Sequence, residues 1–350
     1  MALHTRRIIV AISLWLVLAA CRSQPSPEQR TAPEADVSGL PQDTLVPVET
    51  IALPDTLRYT VTPREWYAYW MLRTDTLRTD TVQQTSMVQQ YYTKLIHRIT
   101  PDGRIELSVR IDTLIASFTM PADTAGSVRR FSYDSRKAED RRNPDFAHLT
   151  ALLGTEVRML VTPDGRIDSV FALRTVVQRL RRLSPDTLPA TLDPFLERQI
   201  AEQMYRPLQQ EYLAFPTGPI DSTRSWRHEY QDVIASLFPT QNTAEYRILG
   251  ARTAGERPTL EIAARLRSHV QKRQIQEGQL QAELRRESLS GSGRILIDAR
   301  QGYTIAKEVH VVSRFEVLVR DTLQKQEESF RHFASSHVQF RLAQRGWLKN

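Results

Sequence analysis

The chain has 350 residues, 41% hydrophobic and 25% charged, with a formal charge of +7. This is globular composition with enough chain for a sizeable core, and it excludes a collagen-like, a low-complexity or a disulfide-stapled protein. Of the 47 basic residues only six are Lys (Lys94, Lys137, Lys272, Lys307, Lys325, Lys349). The Arg residues are interleaved with Asp and Glu, which argues against a nucleic-acid-binding surface.

Met1–Ala20 has the pattern of an export signal. Arg6 and Arg7 precede an apolar run from Ile8 to Leu18, followed by the small residues Ala19 and Ala20. That run is too short to span a bilayer, which takes about 20 apolar residues. Leu18-Ala19-Ala20-Cys21 looks like a bacterial lipobox, and Cys21 is the sole cysteine. The expectation is lipidation at Cys21, a membrane partner engaged through the N-terminal lipid anchor, and location in the cell envelope. Arg at position 22, by resemblance to bacterial lipoprotein sorting, points to the outer membrane. Residues 21–49 carry Pro25, Pro27, Pro33, Pro41 and Pro47 among Ser, Gln, Glu and Thr. They read as a disordered tether, able to reach roughly 80 Å when extended.

From residue 50 to 345 the chain reads as one domain, opening with strands. Tyr59–Val61, Glu65–Leu77 and Gln84–Thr100 are rich in aromatic and β-branched residues. In Glu106–Ser117 apolar and polar residues alternate, as in a half-buried strand. The word TPDGRI occurs at Thr100–Ile105 and again at Thr162–Ile167. Pro at the second turn position, Asp at the third and Gly where a positive φ is needed describe a hairpin turn. Nothing in the word requires chemistry, and the flanks do not support a domain duplication. A third hairpin is expected at Asp298–Gly302.

A helical insert is expected over about 143–213. Asn143-Pro144-Asp145 caps a short helix ending at Gly154. Leu173–Leu183 has helical spacing. Asp193-Pro194 opens a helix with the stripe Phe195, Leu196, Ile200, Met204, Leu208 and Tyr212, which Pro207 should kink or end. The basic run Arg179–Arg182 reads as a solvated face. Strands return at Ser225–Ser236, Glu245–Arg252, Arg294–Ile297, Tyr303–Arg320 and Glu328–Ala343. Arg257–Glu287 favours helix by composition and two strands, broken near Gln276–Gly278, by its neighbours; the strand reading is preferred.

This order of elements resembles a family of bacterial lipoproteins of uncharacterised function. The residues that carry the likeness are Phe131–Ser135, Asn143-Pro144, Ala151–Gly154, Val161–Val170 and Gly291–Asp298 with Gly302. The resemblance implies an α+β fold of the LolA/LppX carrier class: a large, strongly curved antiparallel sheet, or half-barrel, with the helical insert packed on its concave face. That class includes proteins that hold lipids or acyl chains.

Residues with catalytic or metal-binding potential do not assemble into a pattern. The eight His residues lack ligand spacing. Ser290–Gly293 is not a nucleophile elbow, and no phosphate-binding glycine motif appears. Asp134, Glu139, Asp140 and Asp145 crowd one loop without EF-hand order. The expectation is therefore no enzyme, no metal and no cofactor. The most suggestive stretch is Glu65–Leu72, whose aromatics fall on both parities. If one wall of an apolar groove is built here, Trp66, Tyr67, Tyr69, Trp70, Tyr91 and Met204 are its candidates. The functional expectation is an anchored envelope lipoprotein that binds a lipid or other apolar ligand in a half-barrel groove. The alternative is an envelope scaffold or interaction protein with a filled concavity and no small-molecule ligand.

Overall fold

The computed structural model describes residues 56–348 apart from 81, 122–127, 185–188, 221, 235–236, 255–256, 322 and 324–325. The signal, Cys21 and the tether lie outside the described residues. Thirteen strands form one sheet: β1 (Glu65–Thr79), β2 (Gln83–Ile99), β3 (Ile105–Pro121), β4 (Val128–Asp134), β5 (Glu156–Val161), β6 (Ile167–Phe171), β7 (Ser225–Ile234), β8 (Phe238–Ala254), β9 (Arg257–Val270), β10 (Gln274–Glu277), β11 (Leu280–Asp298), β12 (Thr304–Asp321) and β13 (Gln326–Trp347). The helices are α1 (Ala138–Arg142), α2 (Ala147–Leu152), α3 (Arg174–Leu183) and α4 (Asp193–Glu211), with short 3₁₀ turns before α2 and α4.

The sheet order is β6-β5-β3-β2-β1-β13-β12-β11-β9-β8-β7, with β4 added to β3 and β10 to β11. Every named ladder is antiparallel. The path has two ends, and β6 does not pair with β7. This corrects the expected fold: the α+β content and the helical insert are present, but the sheet is open and uncurled, and it is not a half-barrel with a concave groove. The reason is that the motifs carrying the resemblance are hairpin turns, helix ends and short strand segments. They specify local pairing, whereas curvature depends on twist and on bulges along each ladder.

Each strand forms where period 2 puts apolar residues on the face that meets the helices. Tyr67, Tyr69 and Met71 of β1, Tyr92 and Ile96 of β2, Leu107, Val109 and Ile111 of β3, and Ile295 and Ile297 of β11 are all buried in one cluster. Val176 and Val177 of α3 and Ile200, Met204 and Leu208 of α4 close it from the other side. A smaller cluster of Phe238, Val270, Leu284, Phe315 and Val317 lies among β8, β9, β11 and β12.

Both TPDGRI copies are turns of the same form. Thr100 N donates to Arg104 O, and Thr162 N to Arg166 O, each at 2.8 Å. Gly103 and Gly165 adopt φ of +82° and +89°. Arg257–Glu287 forms strands, as preferred, but three pieces and not two: β9, β10 and the start of β11, broken at 271–273 as well as at 278–279, because each piece finds a ladder partner in β8, β10, β11 or β12 and tertiary pairing outweighs helical composition. α4 runs through Pro207 to Glu211 and is not ended by it. Tyr59–Val61 is not a strand; its amides bond singly, Tyr59 N to Pro163 O and Thr60 N to Gln301 O, both at 2.9 Å. The basic run on α3 is only partly a solvated face. Arg179 donates to the Leu153 carbonyl and Arg181 pairs with Asp193 at 2.7 Å, so two of its guanidinium groups tie α3 to its neighbours.

Candidate functional site

The six residues expected to wall a groove do not share a face. Alternation along β1 puts Tyr67 and Tyr69 beneath the helices, where α4 supplies Met204. Trp66 and Trp70 point to the opposite face of the sheet, half-buried. Tyr91 stands directly across from Trp70 on β2 and is 42% exposed. On that outer face the Arg341 guanidinium lies 5.8 Å from the Trp70 ring, and the Trp66 indole lies over Gly346. The sheet itself separates three candidates from the other three, so no groove joins them.

The space beneath the helices, where an apolar ligand was expected, holds an enclosed polar network instead. Glu211, the last residue of α4, is driven into the sheet and is 1% exposed. Its carboxylate receives the Lys94 ammonium from β2 and, on the other oxygen, the Tyr92 hydroxyl at 2.6 Å. The Lys94 ammonium also lies 4.5 Å from the Tyr69 ring and 4.7 Å from the Tyr212 ring, as cation–π contacts. Thr304 of β12 donates to the Glu211 carbonyl at 3.0 Å, and Tyr69 donates to the Thr304 carbonyl at 2.9 Å. Lys307 of β12 donates to the Tyr212 carbonyl at 3.3 Å. Leu213 N donates to the Tyr59 hydroxyl at 2.7 Å. The C-terminal end of α4 is thus satisfied by strands from both halves of the sheet, where an unpartnered helix end would be costly.

Burial pushes the Lys94 ammonium below its usual range, with the Glu211 charge opposing that shift. Lys307 is half-buried as a residue, but its ammonium end is enclosed, and burial brings it down to about 8. Burial and the Glu211 carboxylate hold Tyr69, Tyr92 and Tyr212 well above the ordinary phenol value.

A second network closes the adjoining ends of β1, β12 and β13. Glu65 is fully buried and accepts from Thr62 N and the Tyr67 hydroxyl, each at 2.9 Å, and from Arg345. Arg345 also donates to the Tyr303 hydroxyl at 2.9 Å, which donates to Asp298 at 3.1 Å. Burial acts to raise the Glu65 carboxyl, but Thr62 N, Arg345 and Tyr67 outweigh it and hold the group below its ordinary value.

These charged residues were not singled out from sequence. A signal existed: Lys94 falls between Tyr92 and Ile96 on the buried parity of β2, and Glu211 continues the stripe Ile200, Met204, Leu208 at helical spacing. A charge on an apolar stripe announces a buried partner, but the partner lies 117 residues away.

In the loop crowded with carboxylates, Asp134 is engaged by Arg136 at 2.7 Å and Asp140 accepts from Asp134 N at 2.7 Å. Among the described residues no three His, Cys, Asp or Glu converge as a metal site, and no described helix is long and apolar enough to cross a membrane.

No protein-family model matches this chain. No curated protein matches it either. Among solved structures, one of lipid–protein interactions in lipovitellin is similar at 11% identity and a TM-score of 0.48, over 83% of this chain and 26% of that one. DynF from the dynemicin biosynthesis pathway of Micromonospora chersina is similar at 9% identity and a TM-score of 0.17, over 88% of this chain and 97% of that one. OccK7 (OpdD) of Pseudomonas aeruginosa is similar at 8% identity and a TM-score of 0.22, over 79% and 98%. The chain thus spans about a quarter of the lipovitellin chain, and all three scores are too low to transfer a fold or an activity. The expected kinship with LolA-like outer-membrane lipoproteins is corrected accordingly: the sheet is open, and no family match supports it.

Proposed function

We propose that this protein is a non-catalytic scaffold or interaction protein of the cell envelope, built on a filled sheet-and-helix body. The observation that carries this reading is the Lys94–Glu211 pair with its ring of tyrosines. It occupies the helix–sheet interface with groups whose polar atoms bond one another, so that interface serves to join elements. The surfaces left for function are the outer face around Trp70, Tyr91 and Arg341, and the sheet edges. Trp, Tyr and Arg are the side chains that dominate protein–protein hot spots.

Attachment through an acylated Cys21 is part of this proposal. Metabolic labelling with an alkyne-tagged fatty acid should mark the wild-type chain and not Cys21→Ser; label retained in that variant would overturn the attachment. The interaction reading is tested by placing a photocrosslinking amino acid at Tyr91 or Trp70 in cells. A discrete protein adduct, reproduced with the purified partner, is expected. Adducts only to lipid, or none at either position, would overturn it.

A further inference from the structure

Among the described residues the sheet ends at β7, which is paired only with β8. Arg227 and the run Glu229–Val233 on this strand are exposed. Just before it, the Arg224 carbonyl accepts from Ile248 N at 3.0 Å. Main-chain groups alternate in direction along a strand, so Trp226, His228 and Tyr230 turn theirs toward β8. Ser225, Arg227, Glu229 and Gln231 turn theirs to the open edge. Proteins guard such edges with very short strands, proline, bulges or charged side chains, and the exposed charges of β7, Arg227, Glu229 and Asp232, are of both signs, so a matching strand can pair them. β7 has ten residues, no proline, and an unshifted register against β8.

We propose that β7 pairs antiparallel with β7 of a second copy of this chain, about a two-fold axis through His228. The register follows from charge. A two-fold pairing that keeps both copies' helices on the same side of the joined sheet must pair residues of the same parity, so allowed registers differ by whole two-residue steps. An axis through Arg227 sets Arg227 against itself, and an axis through Glu229 sets Glu229 against itself. Like charges directly opposite are destabilising. An axis through His228 sets Arg227 against Glu229 of the second copy, and the symmetry repeats the pair. On the helix-side face the same register sets Trp226 against Tyr230, and Arg224 falls opposite Asp232. The side chains are placed for this exchange. Arg227 is 71% exposed and holds Glu245 loosely at 3.3 Å, while Glu245 is also reached by Arg267 at 3.7 Å. Trp226 is anchored from behind by its indole N–H to the Ala214 carbonyl at 2.8 Å and by stacking on Tyr246. The pairing deepens the interaction reading above and rests on it, with the partner named as the chain itself.

Sedimentation of the purified full chain tests this. The wild type should form a concentration-dependent dimer. Arg227→Glu and Glu229→Arg should each weaken it by about tenfold or more, the scale of losing both symmetry-related charge pairs, together about 1.4 kcal/mol, and replacing them by repulsion. The double variant Arg227→Glu/Glu229→Arg, which restores opposite charges in the same register, should recover the dimer. In a Cys21→Ser background, His228→Cys should form an intermolecular disulfide under mild oxidation. The reason is that directly opposed residues of a non-hydrogen-bonded pair lie about 4.5 Å apart at Cα, within disulfide reach. Circular dichroism verifies that each variant is folded. A folded monomer at all concentrations, single reversals that leave dimerisation unchanged, or a double variant that fails to recover it would each overturn the pairing. Photocrosslinks from Tyr91 or Trp70 to another protein, obtained alongside a strict monomer, would remove the self-pairing and leave the interaction reading intact.

Discussion

Glu211 and Lys94 show what one buried ion pair does for this molecule. Both are nearly inaccessible, and Glu211 finds a further partner in Tyr92 and Lys94 in Tyr212. Removing one partner leaves the other charge buried and alone, which costs about 3–5 kcal/mol. Lys94→Met or Glu211→Leu should therefore lower stability by that order in urea unfolding. The double variant should recover most of the loss, since a packed apolar pair is often as stable as the buried ion pair it replaces. The pH dependence has a sign at each end. Burial brings Lys307 down to about 8 in the folded chain, from the ordinary lysine value of 10.5 in the unfolded chain. Between those values the unfolded chain binds more protons, so stability rises with pH. Lys94 is shifted in the same direction. The buried tyrosines have raised folded values, so their contribution is lost above pH 10 and reverses the trend. Unfolding midpoints should climb from pH 8 toward 10, and Lys307→Met should flatten that climb. In acid, Glu65 is held below the ordinary carboxyl value of 4.5, so its contribution is complete above that pH and is lost as pH falls through its folded value. The parity of Lys94 was visible in the sequence. Its partner was not, because a residue 117 positions away leaves no trace in local spacing.

At the scale of elements, the two TPDGRI turns are a natural controlled comparison. Their main-chain bonding is the same, and both glycines have positive φ. Their surroundings differ. A Cβ on Gly103 would meet only Pro163 at 3.6 Å. A Cβ on Gly165 would fall 2.3 Å from the Leu213 carbonyl oxygen and 2.6 Å from the Tyr59 ring. Gly103→Ala should cost about 1–2 kcal/mol, the left-handed strain alone. Gly165→Ala should add about 1–3 kcal/mol of overpacking to that; equal losses in chemical denaturation would refute the difference. The turns were legible because Pro, Asp and Gly act through their own dihedral preferences. Their unequal roles were not, because the loop after α4 that docks on the second turn, with Phe215 N bonding Asp164 O at 2.9 Å, comes from elsewhere in the chain. β4 also went unread. Its residues Val128–Asp134 have no clear alternation, and they are strand because β3 offers a free ladder.

At the scale of the molecule, β13 joins the two ends of the chain. It lies between β1 and β12, and Arg345 reaches Glu65 across 280 positions. Deleting Gln326–Asn350 should leave β1 and β12 as long exposed edges and yield an aggregating chain without cooperative unfolding. A soluble truncated chain with a sharp melting transition would contradict this. Pairings this distant also place the chain among slow folders, because loop closure precedes the contacts that reward it.

The sequence alone determined where the hairpin turns, the helices and most of the strands form, since alternation, helical spacing and turn residues act within a few positions. It also carried the two-sided aromatics of β1, but not the consequence that the sheet would divide them. Only the tertiary structure decided that the sheet stays open, that β13 closes its middle, and that a glutamate and a lysine fill the space where a groove was expected. Curvature, strand order and buried charge pairing arise from contacts between residues far apart in the chain, and local pattern cannot encode which distant surface each element meets.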